Sequence, residues 1–320
     1  MLIDFVPIDK GKDLKDVNGF ERVAGGAPMN VVITASKLGI PSAMISKVAN
    51  DSFGDYLVEI LENNKVDTSY IVRTSTWETS LAFVSVTMDG ERDFSFYRKN
   101  AADLMLEQDE VEGIEFQEGD ILHFGSVDLV ESPMKETHRK LLLEAKHKGG
   151  IVSFDTNVRL QLWENENACR EAILEFLPYT DVVKVSEEEL YFITGESSLE
   201  NGVNKLFTNS DLKAVVSTFG DQGSMLFLRS NVQAQKNGYA VKVEDTNGAG
   251  DAFMAGFLAA LIRKSPLRGT LLKVLQDNAD EILSYANATG AIMTTVKGAY
   301  HPTLDDRIVQ KQLAKATDRE

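Results

Sequence analysis

The chain has 320 residues, 43% of them hydrophobic and 26% charged, which is ample material for a large core, and its formal net charge is −16. So acidic a surface repels a phosphate backbone and argues against nucleic acid as a partner, although backbone amides and one or two arginines can still seat a small anion. A lone cysteine, Cys169, excludes an intrachain disulfide and a cysteine-based zinc site, and His123, His138, His147 and His301 lack metal-ligand spacing.

The opening MLIDFVPIDK lacks the basic segment and cleavage site of a signal peptide. From residue 27 onward, apolar strand-like runs alternate with amphipathic stretches. The pattern predicts strands at 43–48, 120–125, 150–155, 181–186 and 213–220, with helices near 51–63, 133–148, 164–176 and 186–193. Such alternation indicates parallel strands with crossover helices on both faces. No repeat or long linker divides the chain, so residues 1–320 read as one α/β domain. LAFVSVTMDGERDFSFY (81–97) departs from the pattern: it alternates with period two around Asp89-Gly90, a hairpin signal. Such a hairpin either extends a sheet edge or projects as a lid. The longest apolar run, AFMAGFLAALI, is too short to span a bilayer. A reducing, cytoplasmic setting without a membrane partner is the expectation.

Between a predicted strand and a predicted helix stands VEDTNGAGDAFMAGF (243–257). Gly248 and Gly250 let the main chain turn sharply and let a ligand approach it closely, while a helix starting near Asp251 offers unpaired N–H groups. Together they form an anion site that needs no lysine. An ordinary glycine-rich connection with Asp251 as helix cap is the structural alternative, weakened by the two carboxylates, Asp245 and Asp251, that bracket the loop. Neither G-x-x-x-x-G-K-[ST] nor G-x-G-x-x-G is present, which argues against P-loop NTPases and dinucleotide-binding dehydrogenases.

DTNGAGDAF resembles the C-terminal signature of the ribokinase-like (PfkB) carbohydrate kinases. GGAPMN (25–30) resembles their N-terminal signature, and NDSFGDYLVEIL follows at the family's usual place. The likeness runs over essentially the whole chain. FSFYRKNAAD, LHFGSVDLV, FDTNVRLQLW and VVKVSEEELYFITG most resemble the fructokinases within that family. The resemblance implies a three-layer α/β/α sandwich with a mainly parallel central sheet and a small β lid, its strands near 5–24 and 70–99. It also implies transfer of the ATP γ-phosphoryl group to a sugar hydroxyl, with D-fructose as acceptor and fructose 6-phosphate as product.

Carried over residue by residue, the resemblance makes Asp251 the base that takes the hydroxyl proton. The amides of Asn247, Gly248, Ala249 and Gly250 become the anion hole for charge on the transferred group. Asp4, Gly25, Gly26 and Asn30 match sugar-contacting positions, and carboxylate and amide groups suit a polyol. Arg98 follows the hairpin and is expected to reach over the sugar, or else to be a solvated arginine. Asn157, Arg159 and Lys184 are matched to the nucleotide phosphates, with turn residues the alternative for the first two. Thr218, Gly220 and Gly223 match a nucleotide-binding turn, and Asn287 and Ala291 the helix along adenine. Magnesium is expected to arrive with ATP, Glu189 holding a metal-bound water, and potassium to sit near Asp245 through backbone carbonyls. Ser186 stands where many members have asparagine. A homodimer through the lid is a further implication.

Two other readings remain at this point: a 2-keto-3-deoxygluconate kinase, whose acidic substrate needs a dedicated cation, and a sugar-sensing relative without catalysis. Relatives begin with a short strand ending in Gly-Glu before a segment like MLIDFVP. The expectation is therefore that about ten native residues precede Met1, a strand plus its entry, to be checked by the mass of the endogenous protein.

Overall fold

The computed structural model describes residues 1–9, 11–86, 92–208, 210–229 and 233–317. Its main sheet holds β7 (Ile121–Gly125), β8 (Ile151–Asp155), β9 (Val182–Ser186), β10 (Ala214–Thr218), β11 (Ser224–Leu228) and β12 (Gln233–Lys236). The strand order is β12-β11-β10-β9-β8-β7; β7 to β10 run parallel, and β11 and β12 are antiparallel additions. Each predicted run in this region forms its strand within a residue or two.

Helices cover both faces because the parallel strands are apolar on both. Val182 and Val216 face α1 (Ala27–Lys37), α7 (Ala249–Ile262) and α8 (Leu271–Met293), with α9 (Asp306–Thr317) beyond. Their neighbours Val183, Val185 and Val215 face a second core, built with α3 (Pro133–His147), α4 (Glu166–Phe176), α5 (Glu187–Thr194) and α6 (Leu199–Thr208). Alternation along β9 therefore fixes which side chains reach α7, and Lys184 is one of them. No helix among the described residues is long and apolar enough to cross a membrane.

A separate four-stranded sheet has the order β2-β1-β5-β6, from β1 (Leu2–Pro7), β2 (Phe20–Gly25), β5 (Leu81–Val86) and β6 (Arg92–Tyr97). The expected hairpin is the antiparallel pair β5–β6, and its Asp89-Gly90 turn lies outside the described residues. Phe5 stacks on Phe83 at 4.8 Å, and Phe20 and Tyr97 meet Phe83 edge-on, so one face of this sheet is held by aromatic contact. The expected bounds of this excursion need correction. β1 starts at Leu2, and Ile71–Thr74, inside the expected 70–99 stretch, is a strand of another sheet. That strand, β4, pairs parallel with β3 (Ser46–Ala49), because the Thr74 carbonyl and its predecessors accept the amides on one edge of β3 and of Asn50. Helix α2 (Ser52–Asn63) follows β3, capped by Asp51, whose carboxylate accepts from the Phe53 and Gly54 amides.

Candidate active site

Helix α7 starts where Gly248 takes φ 70°, in the left-handed region. A Cβ there would sit 2.4 Å from the Ala299 carbonyl oxygen, so both the turn and the packing demand glycine. Asp245 fastens the loop from below: its Oδ1 accepts from the Asn247 amide at 3.0 Å and its Oδ2 from the Gly298 amide at 3.1 Å. With its main chain so held, the first turn of α7 presents N–H groups that have no intrahelical carbonyl.

Asp251 lies in that first turn, half-buried, and its Oδ2 accepts from Asn30 Nδ2 at 2.8 Å. Burial raises its carboxyl above the ordinary aspartate range, opposed by Asn30, Lys184 and Arg159. Asn30 belongs to the first turn of α1, entered through Gly26 at φ 107°. It is buried, and its Oδ1 has no protein partner among the described residues. Beside it, a Cβ on Gly25 would fall 2.1 Å from Asp4 Oδ2, so Gly25 makes room for that carboxylate. The loop before α1 and the loop before α7 thus bring Asp4, Gly25, Gly26, Asn30 and Asp251 together from opposite ends of the sequence.

On β8 and β9, Asp155 and Lys184 are register partners on the α7 face. Lys184 Nζ donates to both Asp155 oxygens, at 2.9 and 3.0 Å, and a Cβ on Gly250 would lie 3.3 Å from the same ammonium. Lys184 therefore puts a buried positive charge against the glycine loop. Burial disfavours the ammonium, but Asp155, Glu189 and Asp251 outweigh it and raise its pKa. Burial also pushes Asp155 up to about 6, with Glu189 and Asp251 adding to the effect and Lys184 opposing it. Sequence reading passed over Asp155, although it opens the quoted DTNVR and strand alternation places it beside Lys184.

The turn after β8 holds Asn157 at φ 33°, an uncommon conformation for a residue other than glycine. Glu189 holds that turn in place. Its Oε1 accepts from the Val158 amide at 2.7 Å, and its Oε2 accepts from Thr156 Oγ1 at 2.8 Å and the Ser186 amide at 2.9 Å. In return the Ser186 hydroxyl oxygen accepts from the Glu189 amide, a capping box that accounts for serine at this position. Arg159 is exposed at the end of the turn, near enough to Asp251 to lower its pKa. Thr218 ends β10 beside Ser186, and Gly220 and Gly223, both at positive φ, fold the next turn; a Cβ on Gly223 would meet Lys236 O at 2.1 Å.

Two expected contacts take other partners. Arg98 is buried, with Nε and Nη2 donating to Asp103 Oδ2, Nη2 also to Asp128 Oδ1, and Nη1 to the Val127 carbonyl. Burial opposes its charge, but the two carboxylates overcome this and raise its pKa. Its donors bind the end of β6 to the turn after β7. Asn287 likewise spends both Nδ2 hydrogens on the Lys236 and Asn237 carbonyls, and its Oδ1 accepts from Ser224. It ties α8 to β11 and β12, while Ala291 lies half-buried a turn further along α8. Among the described residues, no cluster of three or more histidine, cysteine, aspartate or glutamate side chains could hold a metal ion.

A glycine loop at a helix start, a lysine behind it and an aspartate at its edge set anion-binding groups beside a carboxylate. The family model for pfkB family carbohydrate kinases matches residues 1–307. The chain belongs to the pfkB family. Among curated proteins it is 38% identical over 319 residues to probable fructokinase-6, chloroplastic, of Arabidopsis thaliana, covering 99% of this chain and 81% of that protein. Among solved structures it resembles a fructokinase from Vibrio cholerae O395 in a form bound to fructose, ADP and calcium ion. The TM-score is 0.85 and the identity 31%, over 98% of this chain and 96% of that one. A fructokinase from Xylella fastidiosa with bound ATP gives a TM-score of 0.88 at 30% identity, over 99% and 96%. The pfkB assignment makes the protein a sugar kinase with a ribokinase-like α/β sandwich, and gives the convergence of Asn30 and Asp251 its chemical setting.

Proposed function

We propose that the protein phosphorylates D-fructose with ATP to give fructose 6-phosphate. The observation that carries this reading is the Asn30–Asp251 contact at the mouth of the α7 glycine loop. The sugar hydroxyl meets Asp251 there, and the uncommitted Asn30 Oδ1 accepts from a second hydroxyl, with Asp4 serving others beside Gly25. Asp251 takes the proton as the bond to phosphorus forms, late in a loose transition state, and burial, which raises its pKa, makes the carboxylate more basic for that step. The Gly248 and Gly250 amides and the Lys184 ammonium hold the charge spread over the transferred group, while the Asn247 and Ala249 amides, expected to join them, donate to Asp245 Oδ1 and the Thr246 carbonyl. Arg159, Asn157 and the Thr218–Gly223 turn bind the rest of the nucleotide.

Magnesium suits this donor set when carried by the nucleotide phosphates with its own waters, where it screens their charge, because no all-protein cage is needed. The Asp245 carboxylate serves the Asn247 and Gly298 amides, and a potassium ion in this region would be held by neighbouring main-chain carbonyl oxygens. The β2-β1-β5-β6 sheet acts as the lid, and its exposed Ile8 and Tyr97 serve a homodimer contact. A single buried cysteine suits a reducing compartment such as the cytoplasm.

The fructokinases among its relatives support fructose over other sugars. An acidic sugar needs a dedicated cation, and the charge of Arg98 is already matched by Asp103 and Asp128. The test is ADP release over fructose, glucose, ribose, mannose and 2-keto-3-deoxygluconate. Fructose is expected to give the highest kcat/KM; preference for the keto acid displaces it, and no turnover with any sugar favours a sensor.

A further inference from the structure

At the end of the main sheet opposite the glycine loop, four elements bring charge together. Asp181 precedes β9, Lys213 precedes β10, Lys146 lies in the last turn of α3, and Arg268 stands in the loop between α7 and α8. The Asp181 side chain is fully buried. Its Oδ2 accepts from the Val152 amide at 3.0 Å, and Arg268 Nε donates to its two oxygens at 3.1 and 3.2 Å. Lys213 Nζ stands 3.4 Å from Asp181 Oδ1 and donates to the Arg268 carbonyl at 2.6 Å. Lys146 donates to the Pro178 carbonyl at 3.2 Å, close enough for Asp181, Arg268, Asp211 and Lys213 all to act on its charge.

The local sum is positive in a chain whose net charge is −16. Arg268, Lys213 and Lys146 crowd around Asp181, with Asp211 acting on both lysines from further off. Burial lowers the pKa of both lysines; Asp181 opposes this and Arg268 adds to it, so the cations repel one another more than one carboxylate relieves. Arg268 gives Asp181 only its Nε. Its Nη1 and Nη2 have no hydrogen-bond partner among the described residues, and the side chain is 29% exposed. Such a guanidinium holds out a rigid fork of N–H donors that matches two oxygens of a phosphate. A long polyanion would run out into the acidic surface around the cluster, whereas a small dianion stays within about 8–10 Å of it, inside the Debye length. We infer that this cluster binds one small phosphate dianion, free or as the monoester of a small molecule, with the Arg268 fork in bidentate contact and Lys146 and Lys213 beside it. The site is separate from the glycine loop: Asp181 lies three residues before Lys184, about 10 Å at the rise of a strand. Binding there is independent of which sugar is phosphorylated.

The test titrates the 320-residue protein with inorganic phosphate and, separately, with fructose 6-phosphate, by calorimetry at about 0.05 M salt. Saturable binding with a Kd at or below about 1 mM is expected. Arg268→Lys keeps a cation for Asp181 but loses the fork. Lys146→Gln removes a cation that donates to a carbonyl rather than to Asp181, so the buried carboxylate keeps its partners. Each variant is expected to weaken the binding by about tenfold or more, with kcat for the sugar within about twofold of wild type. Phosphate can also enter the glycine loop, which both variants leave untouched, so a titration that neither variant alters overturns the inference. The absence of any saturable binding overturns it too. Tighter binding of fructose 6-phosphate than of inorganic phosphate, lost in both variants, supports the site with the ester as its ligand. Equal binding, lost in both, supports it with the free ion.

Discussion

Asp251 and Lys184 show how far burial sets chemistry in this protein. Asp251 is made more basic by burial and kept oriented by one amide from another helix. Asp251→Asn is expected to lower kcat by ~10²–10⁴-fold while ATP affinity, read by calorimetry, stays within a few-fold. A variant retaining more than a few percent of the rate would remove Asp251 from the role of base. Asp155 sits at about 6 and holds Lys184 against the loop only when ionised. The kcat is therefore expected to climb as pH rises through about 6, and Asp155→Asn to remove that part of the acid limb. Stability attributable to Asp155 runs the other way. The folded carboxyl keeps its proton above the ordinary value of 3.8, so between 3.8 and about 6 the folded state binds more protons and loses stability as pH rises. A flat acid limb in the wild-type pH–kcat profile would contradict the coupling.

Among the elements, the turns between strand ends and helix starts carry the constraint. Glu189 was expected to face a metal-bound water, but its oxygens accept three protein donors and keep Asn157 at positive φ. Glu189→Gln turns an amide group toward a donor and is expected to cost ~1–3 kcal/mol of stability. It should raise the KM for ATP with little change in the magnesium concentration required at fixed ATP; a shifted magnesium requirement instead would return Glu189 to the metal. Gly248→Ala meets both an unfavourable φ and the Ala299 oxygen, and a loss of ~1–3 kcal/mol with most of the activity is expected. For Arg98→Ala the structure redirects the expectation from sugar affinity to stability. Two buried carboxylates lose their shared cation, at a cost of about 3–5 kcal/mol by denaturant titration. A rise in sugar KM with unchanged stability would restore the sugar-binding role.

For the whole molecule, the two apolar cores on either face of the main sheet supply the stability that the overall charge opposes. The net charge of −16 adds diffuse self-repulsion, and Tm is expected to rise modestly between about 0.01 and 0.15 M salt as the Debye length shortens. A Tm that falls over that range would point to stabilising ion pairs outweighing the repulsion.

By itself the sequence determined the alternating α/β plan, the strands β7 to β10 and the glycine loop with Asp251, because periodicity and turn chemistry are local properties. It also carried the sugar-kinase family in two short motifs. Tertiary structure alone decided what is made by neighbours far apart in the chain. Asn30 meets Asp251 across 221 positions, Lys184 finds Asp155 through strand register, and Arg98 and Asn287 are claimed by partners no local pattern names. A long polar side chain has several acceptors within reach, and only the packed fold settles which of them it meets first.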